Sequence, residues 1–302
     1  MQLVLGLALS PLLVGLVRRV KAWVGGRRGP PLVQGYADLC KLAHKGAVYG
    51  HTTTWVFRAG PVVSLACVGV ALAALPVAGS PGVLGFRGDL VLVAGLLALA
   101  RFALVLAALD TGSAFEGMGA SREAWFGALA EPTLLLCLAS LARASGGTSL
   151  AEIHAALGPS AWASSGGTLA LACTALFGVL LAETGRIPFD DPATHLELTM
   201  VHEVMVLDHG GPDLALVEWG SALRLWIFAS LLAGALVPIR TGEPLVDGAA
   251  HLAGIAIVGG AVGLVESTLA RLRLVRVPQL LIGLGVLALL AVLMAPGSEA
   301  LR

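Results

Sequence analysis

Eight long apolar runs, each close to the length that crosses the hydrocarbon core of a bilayer, decide what this chain of 302 residues can fold into. Hydrophobic residues make up 57% of the sequence and charged residues only 13%, which is too few to cover the surface of a water-soluble fold. This composition excludes a soluble enzyme, and the net charge of zero gives no general attraction to nucleic acid. The sequence therefore predicts an all-α, polytopic membrane protein with a single membrane domain over residues 1–302. The predicted spans lie near residues 2–17, 60–79, 89–110, 123–142, 167–183, 214–239, 248–270 and 277–296.

The distribution of Lys and Arg predicts how the spans are oriented. Thirteen of the 19 basic residues fall in connections on one side and four on the other, whereas Arg101 and Arg224 lie within spans. Cytoplasmic connections carry the excess of positive charge, so both termini are expected on the outer side of a bacterial or archaeal cytoplasmic membrane. An even number of spans also requires that both termini share one side.

Two of the cytoplasmic connections, residues 18–59 and 184–213, are long enough to hold structure of their own. In the first, polar and apolar residues after Pro30 and Pro31 repeat at the spacing of two helix faces, which predicts an amphipathic helix. The polar face contains Gln34, Asp38, Lys41 and Lys45, and the apolar face contains Leu32, Tyr36, Leu39 and Ala43. Such a helix can lie on the membrane surface or against a partner protein.

The second connection is unusually acidic, because eight of the 19 acidic residues fall between positions 183 and 218. Asp191 followed by Pro192 is typical of a helix start. The predicted helix has a polar face of His195, Thr199, His202 and Glu203 and an apolar stripe of Leu196, Met200 and Val204. A two-faced helix in a charged loop favours a docking element over a solvated loop.

Six charged side chains lie at apparent membrane depth, where an isolated ion costs at least a few kcal/mol and normally faces a bundle interior or water. They are Arg101, Glu131, Glu183, Glu218, Arg224 and Glu266. Glu183 and Glu218 are also close enough to span ends to lie at the membrane interface instead. Pro132, which follows Glu131, favours a local kink or a wet pocket. Buried carboxylates beside arginines are the groups that a proton path requires.

Two other classes of protein stay open on the residues alone. An independent ion transporter needs the same buried charges, but it usually has an inverted repeat as well, and none is evident. A metalloenzyme would use His195, His202, Glu203 and His209, whose spacing differs from that of zinc sites. Cysteines occur only at Cys40, Cys67, Cys137 and Cys173 and form no C-x-x-C pair. No metal site is therefore predicted, and any iron–sulfur cluster is expected on other subunits.

The stretch Glu183–Glu203, with the sequence ETGRIPFDDPATHLELTMVHE, resembles the signature of the respiratory complex I subunit 1 family. The resemblance covers most of the chain, including the eight spans and the segment Glu266–Arg273. Quinone-reducing members of this family typically have Asn where Gly185 stands and Leu where Asp191 stands. The P-A-T-H-L-E-L form is instead similar to the branch in membrane-bound group 4 nickel–iron hydrogenases, which includes formate hydrogenlyase.

The resemblance implies a non-catalytic subunit that anchors a cytoplasmic redox arm to the membrane and couples its chemistry to protons. The implied partners are a hydrogenase-like large subunit, a small iron–sulfur subunit, antiporter-like membrane subunits and membrane lipid. Those partners would carry the nickel–iron centre and the iron–sulfur clusters, and this chain would bind no cofactor. The alternative is the quinone-site subunit of a complex I-type NADH–quinone oxidoreductase.

The resemblance also assigns the charged residues to two groups. Both long cytoplasmic connections would form a partner platform, whose charged residues are Arg186, Asp190, Asp191, His195, Glu197, His202 and Glu203. The proton path would contain Arg101, Arg224, Glu131, Glu183, Glu218 and Glu266.

Overall fold

The computed structural model describes residues 2–77, 80–190, 200–239 and 241–295. Within these ranges the chain forms ten α-helices and two short 3-10 helices, and no strand is present apart from one isolated bridge between Val77 and Ser80. Eight of the helices are long and apolar enough to cross a membrane, which confirms the predicted all-α polytopic fold. In chain order these spans are α1 (Gln2–Val24), α3 (Trp55–Ala74), α4 (Asp89–Asp110), α5 (Ala114–Ser145), α7 (Pro159–Glu183), α8 (Gly211–Leu236), α9 (Pro244–Thr268) and α10 (Val277–Met294).

Two helices are longer than the apolar runs that predicted them. The predicted span 123–142 is part of α5, which begins nine residues earlier and continues through Pro132 as one helix. The predicted span 167–183 is part of α7, which begins eight residues earlier and bends at Ser165, where φ is −128° and ψ is 23°. Polar residues in the first turns conceal both extensions, because hydropathy alone cannot distinguish a polar helical turn from a loop.

Helix α8 forms the centre of the bundle. Apart from Asp213, Glu218 and Arg224 it is largely apolar, and most of its length is buried between α1, α3, α7 and α9. The spans alternate in direction, so the ends of α1, α4, α7 and α9 lie on the same side as the starts of α3, α5, α8 and α10. This side, which carries both long charged connections, is called the platform side below.

The amphipathic helix predicted in the first long connection is confirmed as α2 (Gln34–Ala43). It packs on α1 and α8, and the hydroxyl of Tyr36 donates to the carbonyl of Ala8 in α1. Contact with α1 is close at Gly15, because a Cβ there would lie 2.4 Å from the carbonyl oxygen of Leu32. An exposed ion pair of 3.8 Å joins Arg18 to Asp38.

The prediction of a helix in the second long connection is partly wrong. Residues 191–199, which contain its start and most of its polar face, lie outside the described residues. Met200, Val201 and His202 are not helical, and a single 3-10 turn follows at Glu203–Val206. This segment takes its conformation from contacts with α5, because Arg122 donates to the Met200 carbonyl at 3.0 Å.

Candidate functional site

A buried arginine connects three of the membrane helices. Arg101 in α4 lies 2.6 Å from Glu183 at the end of α7, and 3.7 Å and 3.5 Å from Glu123 and Glu131 in α5. A Cβ on Gly127 would lie 2.2 Å from an Arg101 nitrogen, so this glycine lets the guanidinium cross the surface of α5. These four charged residues are called the arginine cluster. One cation facing three carboxylates is an arrangement in which an added proton has several possible sites.

Glu123 is the functional candidate that the sequence analysis missed. Its side chain is buried and contacts both Arg101 and the ring of His202. In the sequence Glu123 stands at the edge of an apolar run, where a charged residue usually marks the membrane interface. The nine extra residues of α5 and the loop packed against them bury it instead. The spacing of Glu123 and Glu131 could have indicated its burial. Glu123 lies about two turns before Glu131, and positions eight residues apart lie on nearly the same face of a helix.

Helix α7 ends well inside the bundle. Glu183, its last residue, bonds to Arg101, which lies nine residues before the end of α4. At 1.5 Å per residue, α7 therefore stops about 13 Å short of the platform-side end of α4. The loop that follows fills this space, with Phe189 and Asp190 buried and the Pro188 carbonyl accepting from the Leu272 amide at 3.0 Å.

His202 joins the arginine cluster to this loop. Its Nε2 lies 3.4 Å from Glu123 and its Nδ1 lies 3.7 Å from Asp190. Asp190 also accepts hydrogen bonds from the amides of Val201 and His202 at 3.2 Å and 3.0 Å, and from Arg271 at 3.0 Å. A continuous line of charged groups therefore extends from Glu131 at mid-membrane to Arg271 in the connection before α10.

The electrostatics of the loop favour the charged forms of its groups. Burial opposes protonation of His202, but the carboxylates of Glu123 and Asp190 outweigh it and raise the pKa of His202 to about 10. Burial also opposes ionisation of Asp190, but the nearby ring and the backbone amide of His202, together with the charge of Arg271, outweigh this and lower the pKa of Asp190. Asp190 and His202 therefore form an ion pair at neutral pH.

A small cavity lies inside the arginine cluster. Its volume is about 20 Å³, and its charged lining consists of Arg101, Glu123, Glu183, Asp190 and His202. That space is sufficient for one water molecule, which would have several polar partners there. One Glu183 oxygen and the Nε of Arg101 are buried without a hydrogen bond in the described part of the chain, so both are available to such a water.

A second ion group lies beside the first. Arg186 donates to Glu266 at 2.6 Å, and Lys21 lies 3.5 Å from the other oxygen of Glu266. The sequence analysis assigned Arg186 to the platform and Glu266 to the proton path, and the structure brings the two together. Arg224 in α8 donates to the Glu183 carbonyl at 3.4 Å, which places it next to the arginine cluster.

Glu218 does not belong to the buried line. It is exposed on α8, and its separation of six positions from Arg224 places the two about 120° apart around the helix. The sequence analysis left a buried and an interface position open for Glu218, and its exposure removes it from the buried group. Hydropathy gives the depth of a residue in a span but not the direction in which its side chain points. Glu131 is also only partly buried, with 41% of its side chain exposed at mid-span.

The residues predicted for the platform lie in three kinds of position. Asp190 is only 4% exposed and faces the interior, so it is not itself a surface contact. His202 and Glu203 are partly exposed, and Arg186 is held by Glu266. Asp191, His195 and Glu197 lie outside the described residues.

No group of three metal-binding side chains is found in the part of the chain that the structure describes. The proposed metalloenzyme set is divided there, because His202 contacts Glu123 and Asp190, whereas His209 stacks on Phe57 with ring centroids 3.9 Å apart. His195 lies outside the described residues.

The fold is therefore a bundle of eight candidate spans, with a buried ion cluster next to a charged, partly buried loop. The family model described as NADH dehydrogenase matches residues 1–296. The chain therefore belongs to this complex I subunit 1-like family, as the signature from Glu183 onward predicted.

Known proteins of similar sequence are subunits of larger assemblies. The chain is 36% identical over 286 residues to formate hydrogenlyase subunit 4 of Escherichia coli (strain K12), with 90% of each chain covered. It is also 36% identical over 244 residues to hydrogenase-4 component C of the same organism, covering 81% of this chain and 76% of that one. In structure it is similar to a chain of an archaeal respiratory membrane complex, the membrane-bound sulfane sulfur reductase. That match has a TM-score of 0.78, 22% identity and 97% coverage of both chains.

We predict that His202 remains protonated at pH 8 and that Glu123→Gln lowers its pKa. The raised pKa means that its ion pairs stabilise the folded state fully below about pH 6.5, and that this stabilisation is lost as the pH rises through about 10. The measurement is a pH titration of the side-chain nitrogen shifts in histidine-labelled protein, assigned with His202→Gln.

The matched control is Glu131→Gln, because Glu131 pairs with Arg101 and not with His202. It should shift the His202 titration less than Glu123→Gln does. An ordinary titration of wild-type His202 near pH 6.5 would contradict the geometry described above.

Proposed function

We propose that this chain is the membrane-anchoring and proton-coupling subunit of a complex I-like, group 4 nickel–iron hydrogenase assembly. The observation that carries the proposal is the line of charged groups from Arg271 to Glu131, which begins in the platform-side connections and ends at mid-membrane. The two Escherichia coli relatives, named as formate hydrogenlyase and hydrogenase-4 components, support the hydrogenase branch.

The platform side is proposed to dock the redox arm, which would comprise a hydrogenase-like large subunit and a small iron–sulfur subunit. Large apolar side chains are exposed in its connections, where Val48 is 87% and Val275 is 81% accessible. Apolar residues in otherwise polar, basic connections are typical of protein interfaces. The bound nickel–iron centre and iron–sulfur clusters would lie on these partners, close above Asp190 and His202.

The coupling step is proposed to be electrostatic. A change of charge in the docked arm would act on the ion pair of Asp190 and His202, since interactions between buried charges are weakly screened. His202 contacts Glu123, and Glu123 contacts Arg101. A change of charge at the loop would therefore act on Arg101 and its carboxylates through Glu123. The charge of the arginine cluster then determines whether Glu123, Glu131 or Glu183 takes up a proton.

Glu131 supports a further membrane subunit at this face of the bundle. A carboxylate that is 41% exposed at mid-span is costly against lipid tails and favourable against a polar neighbouring helix. Antiporter-like subunits, which move ions through polar membrane helices, fit this requirement. The proposal also places the platform in the cytoplasm and both termini outside a bacterial or archaeal cytoplasmic membrane, in agreement with the basic residues.

The docking proposal predicts different outcomes for the same substitution at two exposed valines. Val48→Asp should lower the yield of co-purified large and small subunits by roughly tenfold, which corresponds to about 1.4 kcal/mol of lost binding energy. Val83→Asp is the matched control, because Val83 is 74% exposed in the connection between α3 and α4, on the side opposite the platform.

Purification of the tagged chain in mild detergent, with quantitative mass spectrometry of the co-eluting subunits, measures both variants. A chain that elutes alone, or equal losses for the two valine variants, would contradict docking on the platform side. A quinone-reducing set of subunits in place of a hydrogenase would support the alternative assembly.

The coupling proposal predicts that Glu131→Gln lowers the number of protons moved per electron while the assembly stays intact. The amide keeps the shape of the side chain but cannot carry a proton at neutral pH. The control is Glu243→Gln, an exposed carboxylate in the connection before α9.

The assembly is reconstituted in vesicles with a luminal pH dye, and hydrogen evolution from reduced methyl viologen counts the electrons. Glu243→Gln should keep the wild-type ratio of protons to electrons. A wild-type ratio in Glu131→Gln would remove Glu131 from the path.

A further inference from the structure

A second buried polar cluster lies in the half of the bundle farther from the platform. The Gln2 amide donates to the Ser230 hydroxyl at 2.6 Å, and this hydroxyl lies 2.9 Å from Nε2 of His251. The rings of His251 and His154 have centroids 6.3 Å apart. All four side chains are at most 4% exposed. These residues are called the outer cluster below.

Four separate elements build the outer cluster. Gln2, Ser230 and His251 belong to α1, α8 and α9, and His154 belongs to the short helix α6 (Leu150–Ala156). Room for the His154 ring exists because residue 234 of α8 is glycine, where a Cβ would lie 2.2 Å from that ring.

Hydrogen bonds to Asp89 anchor the start of helix α6. The buried carboxylate of Asp89 in α4 accepts from the Leu150 amide at 2.7 Å and from the Ser149 hydroxyl at 3.1 Å. This attachment fixes the position of the His154 ring against Gly234 of α8. The sequence analysis gave no role to either histidine, because each stands alone in an apolar stretch.

Buried polar atoms that make no hydrogen bond within the described residues lie at depths between the two clusters. Arg224, beside Glu183, lies six residues before Ser230, which corresponds to about 9 Å along the helix and about 120° around it. Nε of Arg224 and Nε1 of Trp226 are buried and make no hydrogen bond within the described residues, and the same holds for Oε1 of Gln2. Buried polar atoms of this kind are usually satisfied by water, and such water would lie at depths between the two clusters.

We propose that His154 and His251 form the proton-binding site through which protons from the arginine cluster leave on the outer side. This proposal rests on the proposed function and adds its outer half. Imidazole is the side chain whose ordinary pKa allows it to bind and release a proton near neutral pH. The Ser230 hydroxyl can donate one proton to His251 as it accepts another from water, so one proton enters and one leaves without a change of redox state.

Two further carboxylates on the same helices are engaged elsewhere. Asp247 in α9 accepts from Thr241 and from the Gly242 amide, at 2.7 Å to 3.1 Å. Glu152 in α6 accepts from the amides of Thr148 and Ser149 and lies 3.8 Å from Arg87. The described residues of α1 and α8 near the outer cluster carry no acidic side chain. The histidines are therefore the groups in this region best placed to exchange protons.

The test measures protons released into the vesicle lumen per electron, in the intact reconstituted assembly with reduced methyl viologen. His251→Gln and His154→Gln should each lower this ratio by tenfold or more, on the order of the loss of one positioned proton-transfer group. Ser230→Ala keeps both rings and removes only the hydroxyl, so it tests the route even if a histidine variant fails to assemble. It should also lower the ratio. Ser164→Ala is the control, since this hydroxyl near the outer end of α7 bonds, among the described residues, to carbonyls of its own helix.

The outcomes separate this proposal from the proposed function. A normal ratio in Ser230→Ala, or in an assembled histidine variant, together with a lowered ratio in Glu131→Gln would overturn the outer site and leave the proposed function standing. Normal ratios in all of these variants, including Glu131→Gln, would remove both. A lowered ratio in the outer variants with an unchanged ratio in Ser164→Ala supports the outer site.

Discussion

The pairing of one buried guanidinium with three carboxylates is the interaction on which the rest of this structure depends. Arg101 binds Glu183 directly and lies close to Glu123 and Glu131, so a single side chain connects α4, α5 and α7 inside an apolar bundle. Removing one partner from a buried ion group leaves an uncompensated charge, which typically costs about 3–5 kcal/mol. The cluster therefore constrains where the three helices lie, and it keeps titratable groups at membrane depth.

The early end of α7 gives this cluster a connection to the surface. Because the helix stops beside Arg101, the following loop enters the bundle and brings Asp190 and His202 into contact with buried carboxylates. In the proposed function this loop senses the docked redox arm, and the arginine cluster responds through its protonation. The outer cluster would complete the route on the other side, with α8 as the helix common to both.

Hydropathy was sufficient to predict the eight spans and the amphipathic α2, because those patterns depend on composition and spacing alone. The signature from Glu183 onward was sufficient for the family. Pairings between distant helices were not accessible in this way, and neither was the burial of Glu123, which depends on a loop packing against polar turns of α5. The 3-10 turn at Glu203–Val206 was missed, and the choice between burial and exposure of Glu218 stayed open, for a related reason, since tertiary contacts decide both.

A double-mutant cycle between Arg101 and Glu183 tests the central claim most directly. The free energy of unfolding would be measured in detergent for Arg101→Met, Glu183→Gln and the double variant. If Arg101 compensates the buried carboxylate, the double variant should be more stable than Arg101→Met alone, with a coupling energy of at least about 1 kcal/mol. If the loss of stability in the double variant equals the sum of the losses in the two single variants, the two groups do not interact. That result would contradict the account.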